Sequence, residues 1–272
     1  MTKKINVNNI KAIALDLDGT LLNENHQIST FNKETIKKVE LLGKKIVITT
    51  GRSYKALLPF AEELEINGPI VCYNGAAVYH SPSGNKLKEY PLNNKWAPIL
   101  IKLARERDVH LHFFIDEKWY YENERKEVEL YAGRCGYKGV KKDFNDIPDL
   151  SCTKAMFIGE NDVLISLQKE LKEIVGDDIY IAFSTDYFLE IMSKGVSKAR
   201  ALKETMNIEN ILLSEIISFG DGMNDLEMIQ ETAFGYAMAN GSENLIKAAS
   251  HIAPSNTVDG VAQVLQELFL NE

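Results

Sequence analysis

The sequence predicts an α/β protein whose core is a doubly wound parallel sheet, interrupted in the chain by an α+β segment. Short β-branched runs alternate with amphipathic segments near both ends of the chain, which is the rhythm of strand–helix–strand units. The middle of the chain instead carries longer alternating strands joined by short turns. A length of 272 residues exceeds the usual size of one domain, so two domains are expected.

The first 83 residues are predicted to form one half of the parallel sheet. Ile36, Val39 and Leu42 recur at intervals of three, as on one face of a helix, and Gly43 suits its C-terminal cap. Short apolar strands joined by helices are typical of a doubly wound sheet. The predicted strands are 10–15, 45–49 and 70–73, and the helices between them are 30–42 and 53–64.

Residues 84–193 are predicted to be an inserted α+β cap domain. It follows the turn formers Ser81-Pro82-Ser83-Gly84. Strands 110–115 and 119–122 are close enough in sequence to form an antiparallel hairpin. His110 and His112 share a face of the first strand, where a structural role is favoured over a contact with substrate. The other predicted elements are strands 153–158, 180–184 and 188–192 and a helix at 163–175.

Residues 194–272 resume the rhythm of the first 83 and are predicted to complete the same core. A core of residues 1–83 and 194–272, split by the cap, is the simplest explanation of this return. The predicted elements are helices 197–206, 224–231 and 258–270 and strands 216–219 and 235–238.

Composition excludes some partners and leaves others open. A net charge of −8 argues against nucleic acid and against anionic membrane surfaces, although an anionic substrate needs only a local positive pocket. No apolar run approaches the length of about 18 residues that a membrane span needs. Three cysteines, an odd number without metal-binding spacing, suit a reducing compartment. We therefore expect a cytoplasmic protein that is a monomer or a weak homodimer.

Two groups of aspartates follow predicted buried strands. In Asp16-Leu17-Asp18-Gly19-Thr20, Asp16 and Asp18 can reach one site if the chain stays extended, and glycine allows a sharp turn. In Gly220-Asp221-Gly222-Met223-Asn224-Asp225, Asp221 and Asp225 stand after the strand 216–219. Each group alone also fits a capped turn. Together at the carboxyl edge of one sheet, these carboxylates require a divalent cation, and oxygen ligands alone favour Mg²⁺.

Two further motifs are suited to phosphate. Thr49-Thr50-Gly51-Arg52 ends the second strand and opens a helix, where a hydroxyl and backbone amides can hold an anion. An ordinary capped helix start explains this motif equally well. Lys198 lies in the first turn of a predicted helix, where the helix dipole disfavours a cation, which indicates another duty. A lone lysine is nevertheless usually a solvated surface group.

Taken together, these motifs resemble the haloacid dehalogenase superfamily, and within it the Cof-type branch of capped sugar-phosphate phosphatases. The resemblance covers the whole chain, and it implies a Rossmann-like core with an inserted cap. Ala239-Asn240-Gly241 departs from the order Gly-Asn-Ala that is usual in that family. The motifs are Asp16-Leu-Asp-Gly-Thr-Leu-Leu, Thr50-Gly-Arg, Asn74-Gly-Ala, Lys194-Gly-Val-Ser-Lys, Gly220-Asp-Gly-Met-Asn-Asp and Asp259-Gly-Val-Ala.

The resemblance implies a Mg²⁺-dependent phosphatase that acts on a small phosphorylated metabolite. It assigns Asp16 as the nucleophile that becomes an aspartyl-phosphate and Asp18 as general acid and base. Thr50 and Lys198 complete the implied catalytic set. The implied metal ligands are Asp16, the backbone carbonyl of Asp18, Asp221 and, directly or through water, Asp225. The phosphoryl group would be held by the amide of Leu17 and by Thr50, Gly51, Lys198 and Asn224.

Two other functions remain compatible with the sequence. A phosphomutase of the same superfamily would use the same aspartates but pass the phosphoryl group to a second sugar hydroxyl. A non-catalytic regulator could bind a phosphorylated metabolite without turning it over. Release of inorganic phosphate distinguishes the phosphatase from both. The substrate itself is left open between sugar phosphates, phosphorylated cofactors and nucleotides.

Overall fold

The computed structural model describes residues 7–271. The chain forms two compact units, which are here called the first and second units. The first unit comprises Met1–Gly51, Leu57–Leu87 and Ser197–Glu272, and the second comprises Arg52–Ala56 and Lys88–Val196. Within the described residues, no helix has the length and apolar character that a membrane crossing requires.

A five-stranded parallel sheet forms the centre of the first unit. Ala12–Leu15 pairs in parallel with Lys45–Ile48 on one side and with Ile216–Gly220, the middle strand of the five, on the other. Phe234–Met238 and His251–Ala253 extend the second side, again in parallel register. The chain therefore extends the sheet on both sides of Ala12–Leu15, and the predicted α/β class with a doubly wound parallel sheet is confirmed.

Helices cover this sheet because its strands are apolar on both faces. All four residues of Ala12–Leu15 are buried. On one face Ala12 and Ala14 pack against Leu202 and Met206. This burial explains why the strands read as continuous apolar runs and not as alternating ones. Helix Tyr54–Glu63 begins in the second unit and continues in the first. The other helices of the first unit are Thr30–Leu41, Lys198–Ile208, Leu226–Glu231, Glu243–Ala248 and Gly260–Phe269.

The third predicted strand does not continue the parallel sheet as expected. Gly68–Cys72 shares a parallel bridge with it through Val71 and Thr49, but pairs along its length, antiparallel, with Ala77–Ser81. The chain reverses between these strands at residues 73–75, whose φ angles are all positive. Asn85–Glu89 completes this three-stranded sheet. The predicted strand is therefore present with one parallel bridge to the sheet, but the apolar pattern of 70–73 does not predict the antiparallel strand that follows it.

The second unit is built on a six-stranded sheet that is antiparallel except at one edge. The predicted hairpin is confirmed, since His110–Ile115 pairs antiparallel with Lys118–Tyr121. Helices Ala97–Glu106 and Asn161–Val175 supply buried side chains to the same core as the strands. A third helix is Lys126–Cys135. The strand order is Ile179–Thr185, Phe188–Ser193, Lys154–Ile158, His110–Ile115, Lys118–Tyr121 and Val140–Lys141.

Candidate active site

Asp16 lies at the carboxyl end of strand Ala12–Leu15, in the parallel sheet of the first unit. Its backbone amide donates to the carbonyl of Phe219 at 3.1 Å, which continues the pairing with the neighbouring strand by one residue. The side chain is almost completely buried, at 5% exposure. A carboxylate taken out of water in this way must find compensating charge or hydrogen bonds.

The compensating charge is Lys198, the first residue of helix Lys198–Ile208. Its Nζ donates to Asp16 Oδ1 and to Asp225 Oδ1, each at 2.6 Å, and its side chain is completely buried. Ser197 caps the helix by accepting from the amide of Arg200. The unfavourable position of a cation at a helix start is therefore offset by two carboxylates.

Asp225 also fixes the loop that follows strand Ile216–Gly220. Its Oδ2 accepts from the backbone amides of Asp221 at 3.1 Å and Gly222 at 3.0 Å. A Cβ on Gly220 would lie 2.4 Å from the Cβ of Asp225, so only glycine fits there. Both oxygens of Asp225 thus have partners, and the carboxylate holds the loop that carries Asp221.

Asp221 lies beside the turn that follows Asp16. Gly19, at φ +75°, makes this turn, and a Cβ on it would stand 2.2 Å from Asp221 Oδ2. The hydroxyl of Thr20 donates to Asp221 Oδ1 at 3.4 Å. Asn240 donates to the carbonyl of Gly19 at 2.7 Å, so the inverted Ala239-Asn240-Gly241 motif still ties this turn in place.

Asp16, Asp221 and Asp225 form one acidic cluster, in which the nearest carboxylate oxygens lie within 4.8 Å of one another. Burial raises the pKa of Asp16 well above its usual value; Lys198 opposes that rise, while Asp225 and Asp221 add to it. Burial and then the charge of Asp225 raise the pKa of Asp221 to about 6. Raised pKa values mean that these carboxylates ionise more readily when a cation is nearby. Clustered carboxylate oxygens are also suitable ligands for a divalent metal such as Mg²⁺. This cluster could hold one.

Asp18 differs from the other predicted acidic residues. Its carboxylate is 40% exposed and lies 3.9 Å from Nδ1 of His26. It is not among the three side chains of the acidic cluster found in the described residues. An accessible carboxyl suits a group that exchanges protons with substrate and water, and its predicted metal contact is through the backbone carbonyl.

The predicted phosphate-binding residues are connected by Asn74, a residue to which the sequence analysis assigned no role. Asn74 Oδ1 accepts from Nδ2 of Asn224 at 2.9 Å, and the amide of Asn74 donates to the carbonyl of Thr50 at 2.9 Å. A Cβ on Gly51 would stand 3.0 Å from Asn74 Oδ1. Leu17 is buried directly after Asp16. The motif Asn74-Gly-Ala was the only sequence signal for this link.

The structure therefore brings together Asp16, Lys198, Asp221 and Asp225, which are up to 209 positions apart (225 − 16 = 209) in the sequence. It separately links Asn224 to the Thr50-Gly51 loop. Buried carboxylates around one ammonium, at the carboxyl edge of a parallel sheet, form a site suited to a cation and an anionic ligand. These are the elements with which a protein carries out phosphoryl chemistry.

Comparison with known proteins agrees with this geometry. The family model for haloacid dehalogenase-like hydrolases matches residues 13–265. A solved haloacid dehalogenase-like hydrolase from Bacteroides thetaiotaomicron is 32% identical, with a TM-score of 0.88 over 96% of this chain and 100% of that one. YxeH of Bacillus subtilis is 29% identical over 96% of this chain and 98% of its own length. The HMP-PP phosphatase of Cronobacter sakazakii is 26% identical over 88% of both chains. The chain belongs to the haloacid dehalogenase-like hydrolase family.

Proposed function

We propose that this chain is a Mg²⁺-dependent phosphatase that hydrolyses small phosphate monoesters through an aspartyl-phosphate on Asp16. The observation that carries the proposal is the contact of Lys198 with both Asp16 and Asp225, beside Asp221. The match to an HMP-PP phosphatase supports a small phosphorylated substrate, a class that includes sugar phosphates and phosphorylated cofactors.

Mg²⁺ would be held by Asp16, Asp221 and the backbone carbonyl of Asp18, with Asp225 behind them. When bound, it neutralises charge on the phosphoryl oxygens and orients them for in-line attack. The donor set supports this assignment, because it consists of oxygens alone and because the raised pKa values of Asp16 and Asp221 fall when a cation is near.

In the first step, a carboxylate oxygen of Asp16 attacks phosphorus and the bond from phosphorus to the leaving oxygen breaks. Asp18 gives its proton to that oxygen, so the leaving group departs as a neutral alcohol. Lys198 favours the ionised form of Asp16, because its charge opposes the rise in the pKa of that carboxyl, and it offsets the negative charge that gathers at the site. Thr50, Gly51, Asn224 and the amide of Leu17 hold the phosphoryl oxygens.

In the second step, water replaces Asp16. Asp18, now ionised, takes a proton from the water as its oxygen attacks phosphorus, and the bond between Asp16 and phosphorus breaks. Inorganic phosphate leaves, and Asp16 and Asp18 return to their starting protonation states. The exposure of Asp18 supports this exchange, because its carboxyl can reach both leaving group and solvent.

The test is phosphate release from p-nitrophenyl phosphate and from a panel of phosphorylated sugars and cofactors. With Mg²⁺ we expect steady release, and with excess chelator none. Asp16→Asn should abolish turnover and keep the fold, whereas Asp177→Asn, an exposed aspartate, should leave activity unchanged. Full activity in chelator, or a substantial residual rate in the Asp16 variant, would contradict the proposal. An isomerised sugar phosphate without released phosphate would indicate a mutase.

A further inference from the structure

The segment Tyr73–Gly75 has a backbone that most residues avoid. The φ angles of Tyr73, Asn74 and Gly75 are 51°, 55° and 100°. Only the last of these is a glycine, and this conformation is unfavourable for most other residues, although asparagine tolerates it better than tyrosine does. Such a conformation persists only where its surroundings hold it, so its contacts are informative.

Those contacts connect three loops of the first unit. Asn74 meets the Thr50-Gly51 loop through its amide and the Asn224 loop through its side chain. Gly75 packs so tightly on the helix cap that a Cβ would lie 2.2 Å from the carbonyl of Ser197, the residue before Lys198. Each of these loops carries a residue proposed to hold the phosphoryl group.

The hydrogen bond to Asn224 has a specific geometric consequence. A side-chain amide has two hydrogens, and Asn224 gives one of them to Asn74 Oδ1. The second hydrogen is then fixed in direction, because the amide is planar. Asn74 is 6% exposed, so water does not readily replace it as the acceptor.

On the basis of the function proposed above, we propose that Asn74 is a positioning residue for phosphate. It acts through Asn224, whose remaining donor it aims, and it holds the Thr50-Gly51 loop in register with that donor. With the left-handed backbone of Asn74, its backbone N–H donates to the carbonyl of Thr50 while its side-chain oxygen accepts from Asn224. A side chain there with an acceptor is therefore required for phosphate affinity, beyond any requirement of the fold.

The test is a double-mutant cycle between positions 74 and 224. Asn74→Gly removes the acceptor while tolerating the positive φ, so the variant should fold. We expect Asn74→Gly and Asn224→Ala each to lower kcat/KM by about tenfold to a hundredfold. The kcat/KM of the double variant should be no lower than that of Asn224→Ala alone, because both changes remove the same hydrogen-bonded pair.

A second variant at position 74 distinguishes the effect of losing the hydrogen bond from the effect of changing the backbone. Asn74→Asp keeps an acceptor for Asn224. Adding Asn224→Ala to this variant should therefore lower kcat/KM by the same factor as Asn224→Ala does in the wild-type protein. The same variants are also compared by the Kd of inorganic phosphate in the presence of Mg²⁺, a measurement that requires no turnover. Absence of hydrolysis by the wild-type protein would therefore count against the proposed function alone. Losses that multiply in the Asn74→Gly double variant, or unchanged phosphate affinity in Asn74→Gly, would overturn the role of Asn74.

Discussion

At the scale of single residues, Lys198 shows how a position that is unfavourable locally is made favourable by distant residues. A cation in the first turn of a helix opposes the helix dipole, and a buried ammonium loses its hydration. Burial alone would lower the pKa of Lys198, but Asp16 and Asp225 outweigh it and raise the pKa above its usual value. The ammonium therefore stays charged between the two carboxylates throughout the physiological pH range.

Lys198→Met should destabilise the protein and abolish activity. It leaves two buried carboxylates without their counter-charge, and removal of one partner of a buried ion pair typically costs about 3–5 kcal/mol. Added Mg²⁺ should recover part of that stability, because it supplies the missing positive charge. The measurement is urea unfolding with and without Mg²⁺, with Lys203→Met, an exposed lysine of the same helix, as the control. A free energy of unfolding equal to that of the control would contradict the assigned contacts.

At the scale of elements, several sequence motifs serve to connect helices and strands. Asp259 caps the last helix in a left-handed conformation and accepts from Nδ2 of Asn32 at 3.2 Å, while Asn32 Oδ1 accepts from the amide of Ala262 at 3.0 Å. Helices Thr30–Leu41 and Gly260–Phe269 are thereby joined. The motif Asp259-Gly260-Val261-Ala262 thus has a structural explanation that involves no chemistry.

Gly260→Ala should weaken this junction more than a glycine substitution in open space. A Cβ at position 260 would lie 1.8 Å from the carbonyl of Pro254, so the backbone must shift, at a cost of about 1–3 kcal/mol or more. Gly43→Ala is the matched control: its φ of +81° is strained for alanine, but no atom lies within 4 Å, and we expect about 1 kcal/mol. Thermal unfolding of both variants measures the two losses of stability. Equal losses in Gly260→Ala and Gly43→Ala would contradict this prediction.

The sheet of the second unit contains two histidines that are buried in the neutral form. Nε2 of His110 lies 3.3 Å from Nδ1 of His112, and Nε2 of His112 is buried without a hydrogen-bond partner among the described residues. Burial, and then the charge of Arg125, lowers the pKa of His110 from 6.5 to about 4. Burial, with His110 and Lys154, also lowers the pKa of His112.

This pair should make the protein less stable in mild acid. The unfolded chain binds a proton on His110 near pH 6.5 and the folded chain only near pH 4, so the contribution of His110 is complete above pH 6.5 and is lost as pH falls toward 4. At pH 5 the loss is about 2 kcal/mol. Urea unfolding at pH 7 and 5 should show a smaller pH effect in His110→Gln than in wild type. The exposed His26→Gln should behave as wild type; an undiminished pH effect in His110→Gln would refute this prediction.

Apolar periodicity predicted most elements but not the reversals between them. The strand 110–115 was predicted with its observed bounds because it is a continuous buried run between turns. Strand Ala77–Ser81 is not predicted by the apolar run 70–73; the dipeptide Asn74-Gly75 before it, which is typical of a hairpin turn, is the local signal of the reversal. The charged residues 122–129 do not belong to one helix, since the helix begins at Lys126 and Glu122 pairs with Arg105.

The charged residues of the candidate site could be predicted from the sequence better than the neutral ones. Carboxylates at two strand ends and an unexplained lysine are each anomalous, so their convergence could be inferred. The role of Asn74 could not, because a neutral amide is unremarkable in a loop and its partner Asn224 lies 150 positions away. Contacts of this kind arise only from the folded arrangement.

At the scale of the whole molecule, the acidic cluster and the buried histidine pair belong to different units. The acidic cluster lies in the first unit, whereas His110 and His112 lie in the second. We propose that the second unit corresponds to the predicted cap domain. Units that are separate domains should also differ in their response to ligands, since a ligand stabilises the part that binds it.

Hydrogen exchange of the intact protein tests this division. Mg²⁺ at about 100 times its Kd stabilises the binding unit by about 2.7 kcal/mol, which slows the exchange of its most protected amides by about a hundredfold. We expect this slowing in strands Ala12–Leu15 and Ile216–Gly220 of the first unit. Strands Lys154–Ile158 and Phe188–Ser193 of the second unit should exchange at an unchanged rate. Equal slowing in all four strands would show that the two units unfold together.

The most direct measurement for the proposed function is acid quenching during turnover, followed by mass spectrometry of the peptide that contains Asp16. Asp18→Asn is the variant of choice, because p-nitrophenolate leaves p-nitrophenyl phosphate in the first step without needing a proton, while the second step loses its base. With Mg²⁺ and this substrate, the peptide should gain the mass of one phosphoryl group, located on Asp16. Phosphate release that continues without any adduct, or an adduct on a different residue, would contradict Asp16 as the nucleophile.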